Sequence, residues 1–391
     1  MKFRTIMLIP IIAATAITVE AQQALFGGQD IKSPEIHPDR SVTFRVTAPE
    51  AGEVKITGEW LPAEGWMPGS VSMQKDEDGL WTYTTEPLDP ELYTYAILVD
   101  GFRTTDPNNV YQVRDIATLS SFFIVPGDNA DLYRVQQVTH GSLTRRWYDS
   151  PGNNSMRRIA VYTPPGYESG NRKYPVLYLL HGAGGDEEAW VTLGRATQIL
   201  DNMIASGKVQ PMIVVMPNGN VSQEAAPGEG SEGFYKPSFM MPRTMDGSFE
   251  STFPDIIQFV EKNYRVIRKK SHRAIAGLSM GGYHALHISR YYPNTFDYIG
   301  LFSAAILPPR DTGSAVYAEM EATLQQQRDN GYRLYWVGCG KTDFLYNNVL
   351  EFKAQLDVIR MPYVWRESEG GHTWRNWRMY LTEFLPMLFL P

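Results

Sequence analysis

The sequence predicts two folded units: an all-β sandwich, then a three-layer α/β domain built on a mostly parallel sheet. Three observations carry that prediction. Residues 41–125 alternate apolar and polar side chains with period two between closely spaced turns, and no helical pattern interrupts them. From about residue 135, continuous apolar runs such as residues 174–180 and 212–217 alternate with amphipathic stretches, as strands covered on both faces by helices do. Residues 273–292 then read as a short strand, a tight turn and a helix, with Ser279 at the apex between Gly277 and Gly281.

Composition narrows the classes. The chain has 391 residues, 43% hydrophobic and 20% charged, which suits a folded protein with room for two domains. A net charge of -7 argues against nucleic acid or an anionic membrane surface as the main partner. The single cysteine, Cys339, excludes an internal disulfide and a multi-cysteine metal site, and no cofactor or metal is expected. Lys2 and Arg4 precede an apolar run to Val19, and Val19-Glu20-Ala21 supplies small residues for cleavage, so residues 1–21 read as a signal peptide. Secreted or periplasmic placement follows as an expectation. The sequence carries no signature of oligomeric state.

In chain order, residues 42–46, 53–57, 79–84 and 92–99 are the expected sandwich strands, separated by Asp-, Pro- and Gly-rich turns. Pro126-Gly127-Asp128-Asn129 marks the boundary, giving units of 22–128 and 129–391. Residues 142–144 and 157–164 are expected as antiparallel edge strands joined near Pro151. Buried strands follow at 174–180 and 212–217, with a helix from Trp190 to Ser206 between them and another over 252–262 before Arg273. Later strands fall at 296–302, 333–337 and 363–365, with helices from Ala315, Asn347 and over 377–390.

A serine hydroxyl becomes a useful nucleophile only when a base takes its proton and an acid orients that base. His372, in a turn past the last strand, is the expected base. His284 and His287 lie on the helix after the Ser279 turn and suit packing, since no third metal ligand is evident. Asp343 follows a late strand and is the expected acid. Asp311 lies in a Pro-rich loop, Asp329 and Asp297 precede strands, and Asp357 lies within a helix, so each is badly placed. The oxyanion of the tetrahedral intermediate needs two backbone N–H donors. Met280, after the nucleophile, is one; Ala183, in the loop His181-Gly182-Ala183-Gly184-Gly185, is the expected second, with Gly182 next. His181 is expected to bond backbone and not to act as a second base.

Two resemblances accompany this reading. Phe44-Arg45-Val46-x-Ala48-Pro49, Val54-x-Ile56-x-Gly58-Glu59-Trp60, Gly79-Leu80-Trp81, Tyr93-x-Tyr95 and Val99-Asp100-Gly101 with Asp106-Pro107 resemble an early-set immunoglobulin-like domain of the carbohydrate-binding module family 48 kind. Trp60, Trp66 and Trp81 are then candidates for sugar stacking, set against a plain core role. The remainder resembles the esterase D-like branch of the α/β hydrolases, closest to carbohydrate esterase family 1, the feruloyl and acetyl xylan esterases. The matching stretches include Tyr162-Thr163-Pro164-Pro165-Gly166-Tyr167, Leu179-Leu180-His181-Gly182-x-Gly184-Gly185, Met216-Pro217-Asn218-Gly219, Gly277-Leu278-Ser279-Met280-Gly281-Gly282 and Gly371-His372-x-Trp374. The resemblance implies the same triad, Ser279, Asp343 and His372.

Residues 219–249 form a long loop rich in Gly, Pro, Met and aromatics, and Phe234, Tyr235, Phe239, Met240 and Met241 could wall an aromatic acyl group. Gly182, Trp190, Phe234, Tyr235 and Trp374 are the expected substrate contacts. The leading expectation is a serine esterase acting on feruloyl esters of plant cell-wall arabinoxylan or its oligosaccharides. Acetyl xylan esterase, siderophore esterase and acyltransferase are the enzymatic rivals, and an inert carbohydrate-binding protein is the rival from another class.

Overall fold

A computed structural model describes residues 31–64, 67–231, 233, 236–306 and 313–390. The signal-peptide reading and the expected roles of Trp66, Phe234 and Tyr235 lie outside the described residues.

The N-terminal part is all antiparallel. One sheet orders Glu35–Ile36, Val42–Thr47, Leu80–Thr84 and Gln74–Lys75; the other runs Gln112–Asp115, Thr118–Val125, Glu91–Val99, Val54–Gly58 and Ser70–Ser72, with Phe102–Thr104 also on Glu91–Val99. Their inward residues, among them Val42, Phe44, Ile56, Tyr95 and Phe123, make one apolar cluster. Trp60 stacks on Phe44 at 5.2 Å, and Trp81 is buried with its indole N–H donated to the Ala48 carbonyl. Trp81 is thus a core residue, and half-buried Trp60 packs against the same core.

The second part is an eight-stranded sheet: β1 Ser142–Ser150, β2 Ser155–Thr163, β3 Val176–Leu180, β4 Ile213–Pro217, β5 Arg273–Leu278, β6 Tyr298–Phe302, β7 Leu334–Gly340 and β8 Val364–Ser368. The order is β1-β2-β4-β3-β5-β6-β7-β8, with β1 and β2 antiparallel at one edge and β3 through β8 parallel. Period-two geometry explains the continuous apolar runs. In β3, Val176, Tyr178 and Leu180 face one helical layer while Leu177 and Leu179 face the other. The helices are α1 Ala189–Thr192, α2 Ala196–Ala205, α3 Ser248–Asn263, α4 Met280–Tyr291, α5 Met320–Asp329, α6 Tyr346–Val358 and α7 Trp374–Phe384. Among the described residues, no helix is long and apolar enough to cross a membrane.

Local differences from expectation have local causes. The helix expected over residues 190–206 breaks in two, because Gly194 intervenes and Arg195 takes a left-handed φ of 52°. The last helix starts at Trp374, three residues early, and gives way to a 3-10 turn at Leu385–Met387, where Pro386 ends the α ladder.

The two parts share an apolar cluster. Leu92 and Val113 from the N-terminal sheet pack with Tyr133, Trp190, Leu193, Trp374 and Trp377. Arg378 on α7, 1% exposed, reaches Glu91 at 3.0 Å and donates to the carbonyls of Leu92 and Leu193.

Candidate active site

The turn between β5 and α4 holds Ser279 at φ 52° and ψ -117°, a strained conformation for a residue with a side chain. Backbone bonds over-determine it: the Ser279 N–H donates to the Phe302 carbonyl, and its own carbonyl accepts from Tyr283 and Ala305. The flanking glycines leave no alternative residue. A Cβ on Gly277 would lie 2.4 Å from the Gly281 carbonyl, and one on Gly281 would lie 2.4 Å from the Leu180 oxygen. Strand and helix thus close tightly beneath the hydroxyl.

Asp343 lies in the turn after β7, its side chain inaccessible to solvent, and accepts from the Leu345 N–H at 2.9 Å. His372 lies after β8. Its Nδ1 is 2.8 Å from Asp343 Oδ2, and its Nε2 is 2.9 Å from Ser279 Oγ. With a carboxylate accepting at Nδ1, that nitrogen carries the proton, and Nε2 is free to accept from the serine. The structure therefore brings together three side chains separated by up to 93 positions in sequence. Asn376, absent from the sequence expectations, fixes the histidine turn by donating to the carbonyls of Glu369 and Gly371.

The hydroxyl opens into a cleft of about 660 Å³, lined by Gly182, Ala183, Ser279, His372 and Trp374 among others. As the first residue of α4, Met280 has an N–H without an intrahelical acceptor, on the residue following Ser279. The Ala183 loop is fixed by His181. The Gly219 N–H donates to His181 Nε2 at 2.8 Å, so Nδ1 carries the proton and bonds the Gly182 carbonyl at 2.7 Å. Burial pushes the His181 pKa down to about 4.

Of the expected substrate contacts, Trp190 requires correction. It is 1% exposed, donates its indole N–H to the Leu180 carbonyl, and meets Trp374 edge-on at 5.3 Å, so it supports the cleft floor without facing a ligand. Trp374 does line the cleft, as do Phe239 and a residue not anticipated, Trp377, whose ring meets His372 edge-on at 4.9 Å. His284 and His287 are buried. His284 bonds Glu250 at 2.8 Å, and His287 Nδ1 accepts from Arg290, so both serve packing.

The larger omission concerns the N-terminal sheet, whose hairpin residues Arg114, Ile116 and Leu119 line the same cleft. Three arginines also face it, and each is paired: Arg114 with Asp186, Arg145 with Glu188, and Arg158 with Glu187, Glu188 and Glu229.

The esterase family model matches residues 150–388, which contain the whole Ser279, Asp343 and His372 set. In an alignment of 367 residues that covers 91% of its length, the chain is 30% identical to the endo-1,4-beta-xylanase/feruloyl esterase of Xylanibacter ruminicola. It spans only 46% of that relative, about half. A solved ferulic acid esterase superposes with a TM-score of 0.53 at 29% identity, covering 63% of this chain and 97% of that one. The enterobactin esterase FES from Shigella flexneri superposes with a TM-score of 0.60 at 16% identity, over 88% of this chain and 92% of that chain, a likeness of fold alone. An α/β-hydrolase sheet and a family match spanning most of that sheet's domain lead to one assignment: the chain belongs to the esterase family, whose chemistry is carboxylic ester hydrolysis.

Proposed function

We propose that this protein is a serine esterase that removes feruloyl or related hydroxycinnamoyl groups from arabinoxylan, through an acyl-enzyme on Ser279. The observation that carries the mechanism is the continuous hydrogen-bonded series from Ser279 through His372 to Asp343 at the mouth of the cleft. His372 Nε2 takes the Ser279 proton as Oγ attacks the ester carbonyl, and Asp343 stabilises the resulting imidazolium. The N–H groups of Met280 and Ala183 receive the oxyanion. Collapse of the tetrahedral intermediate expels the sugar alcohol, which takes its proton from His372. Water, deprotonated by His372, then attacks the acyl-enzyme, releasing the acid and regenerating the Ser279 hydroxyl.

A hydroxycinnamoyl substrate is supported by the relatives, by the cleft surface and by its charge pairing. The Xylanibacter ruminicola relative carries feruloyl esterase in its name, and the structural neighbour at 29% identity is named a ferulic acid esterase. Trp374, Trp377, Leu119 and Phe239 give the cleft aromatic and apolar surface suited to a planar acyl group. The siderophore alternative needs free cationic groups for a catecholate, and the cleft arginines are already neutralised by carboxylates. The N-terminal sheets are read as an early-set immunoglobulin-like domain, and the apolar leader fits export.

Substituting Ser279→Ala is expected to abolish cleavage of methyl ferulate while circular dichroism stays unchanged. Retained turnover would refute the mechanism. A preference for acetylated over feruloylated oligosaccharides would leave the mechanism and overturn the substrate.

A further inference from the structure

The hairpin of the N-terminal sheet pairs Gln112–Asp115 with Thr118–Val125, and the register Asp115 to Thr118 leaves Ile116 and Ala117 as a two-residue turn. Ile116 adopts φ 51°. At the first central position of such turns glycine is the usual residue, because positive φ crowds Cβ, and a β-branched side chain is crowded most. A strained residue persists where its surroundings hold it there, and strain of this kind clusters at functional sites.

The surroundings here are the loop that carries Ala183. Gly184 sits at φ +74°, and a Cβ on it would lie 2.6 Å from Ile116 Cγ1, so the isoleucine occupies the space directly over that glycine. Arg114 completes a second grip. It donates to the Ile116 carbonyl at 2.8 Å and pairs with the buried carboxylate of Asp186, whose other oxygen accepts from the Glu188 N–H at 3.0 Å. The loop contains Gly182, Gly184 and Gly185, and glycines have the widest conformational freedom of any residue. His181 holds one end of the loop from beneath; the hairpin holds the middle and the other end.

Building on the nucleophile reading above, we propose that Ile116 and Arg114 are positioning residues, which hold the Ala183 N–H where the oxyanion forms. The N-terminal sheet is on this view part of the catalytic apparatus and not only an appended module. A misplacement of a reacting or stabilising group by about 1 Å lowers rate roughly a hundredfold, which sets the scale of what the hairpin protects.

The test uses the full chain with Ile116→Gly, which keeps the turn's positive φ while removing the side chain over Gly184. Folding stability is expected to hold or rise. The value of kcat should fall roughly ten- to a hundredfold with KM unchanged. The loss should be the same for phenyl acetate and methyl ferulate, and the rate at which a fluorophosphonate labels Ser279 should fall in parallel. Arg114→Gln should act in the same direction, with partial rescue by Arg114→Lys. Wild-type labelling rate and kcat in both Ile116→Gly and Arg114→Gln would overturn the positioning role. So would a loss confined to methyl ferulate and seen in KM, which would make the hairpin a substrate wall. Failure of the unsubstituted chain to label at Ser279 would instead overturn the nucleophile reading on which the proposal stands.

Discussion

Two imidazoles flank one cleft, and their neighbours give them opposite uses. His372 is bonded at Nδ1 by a carboxylate, which suits a ring that must gain a proton during turnover. His181 is bonded at both nitrogens by backbone and is fully buried, so its neutral form is favoured and its pKa drops to about 4. An unfolded histidine titrates near 6.5, so between roughly pH 6.5 and 4 the unfolded chain binds more protons than the folded one. Stability from His181 is therefore complete above the unfolded value and is lost as pH falls through that window, by about 3 kcal/mol in all. Glu187 acts in the opposite sense: burial raises its pKa to about 7, so its contribution weakens as pH rises. The two overlap, and the decisive measurement is a comparison. Urea unfolding at pH 7 and at pH 4 should show a smaller pH-dependent loss in His181→Gln than in the parent chain. An equal loss in both would show that His181 does not titrate as described.

At the scale of elements, the order of strand, turn and helix was legible because each piece carries its own period. The apolar runs of β3, β4 and β5 are buried on both faces, and the Gly277-to-Gly281 spacing is a steric demand that any sequence meeting it must display. From that frame Asp343 and His372 could be placed, since each had to follow a late strand. What was not legible depends on which side of an element faces its neighbour. Trp190 lies within the short helix α1, and nothing local says that its ring turns inward under Leu180. The hairpin was missed for a related reason: residues 112–115 form a short strand with three of four positions charged or polar, giving no clear alternation. Its importance comes from contact with a loop some 70 positions away, as between Arg114 and Asp186, and local periodicity does not encode that distance.

Across the whole molecule, the N-terminal sheets and the eight-stranded sheet are joined by apolar packing, by the Arg114–Asp186 pair at the cleft and by the buried Arg378–Glu91 pair. Arg378 spends its guanidinium on Glu91, Leu92 and Leu193, so α7, which begins two residues after His372, is tied to the N-terminal sheet. Removing one partner of a buried pair leaves the other charge unsatisfied, which costs about 3–5 kcal/mol. Glu91→Ala is therefore expected to lower unfolding free energy by about that amount, while fluorescence and circular dichroism continue to report one coincident transition. Two separated transitions in the parent chain would contradict this coupling.

The central claim is that Ser279 carries the acyl group between two half-reactions. Rapid acid quench of the protein with excess methyl ferulate, followed by peptide mass analysis, tests it most directly. The predicted result is a feruloyl adduct on the peptide containing Ser279, formed at the rate of methanol release and absent from Ser279→Ala. Full turnover by the Ser279→Ala protein, or an adduct on any other side chain, would contradict it.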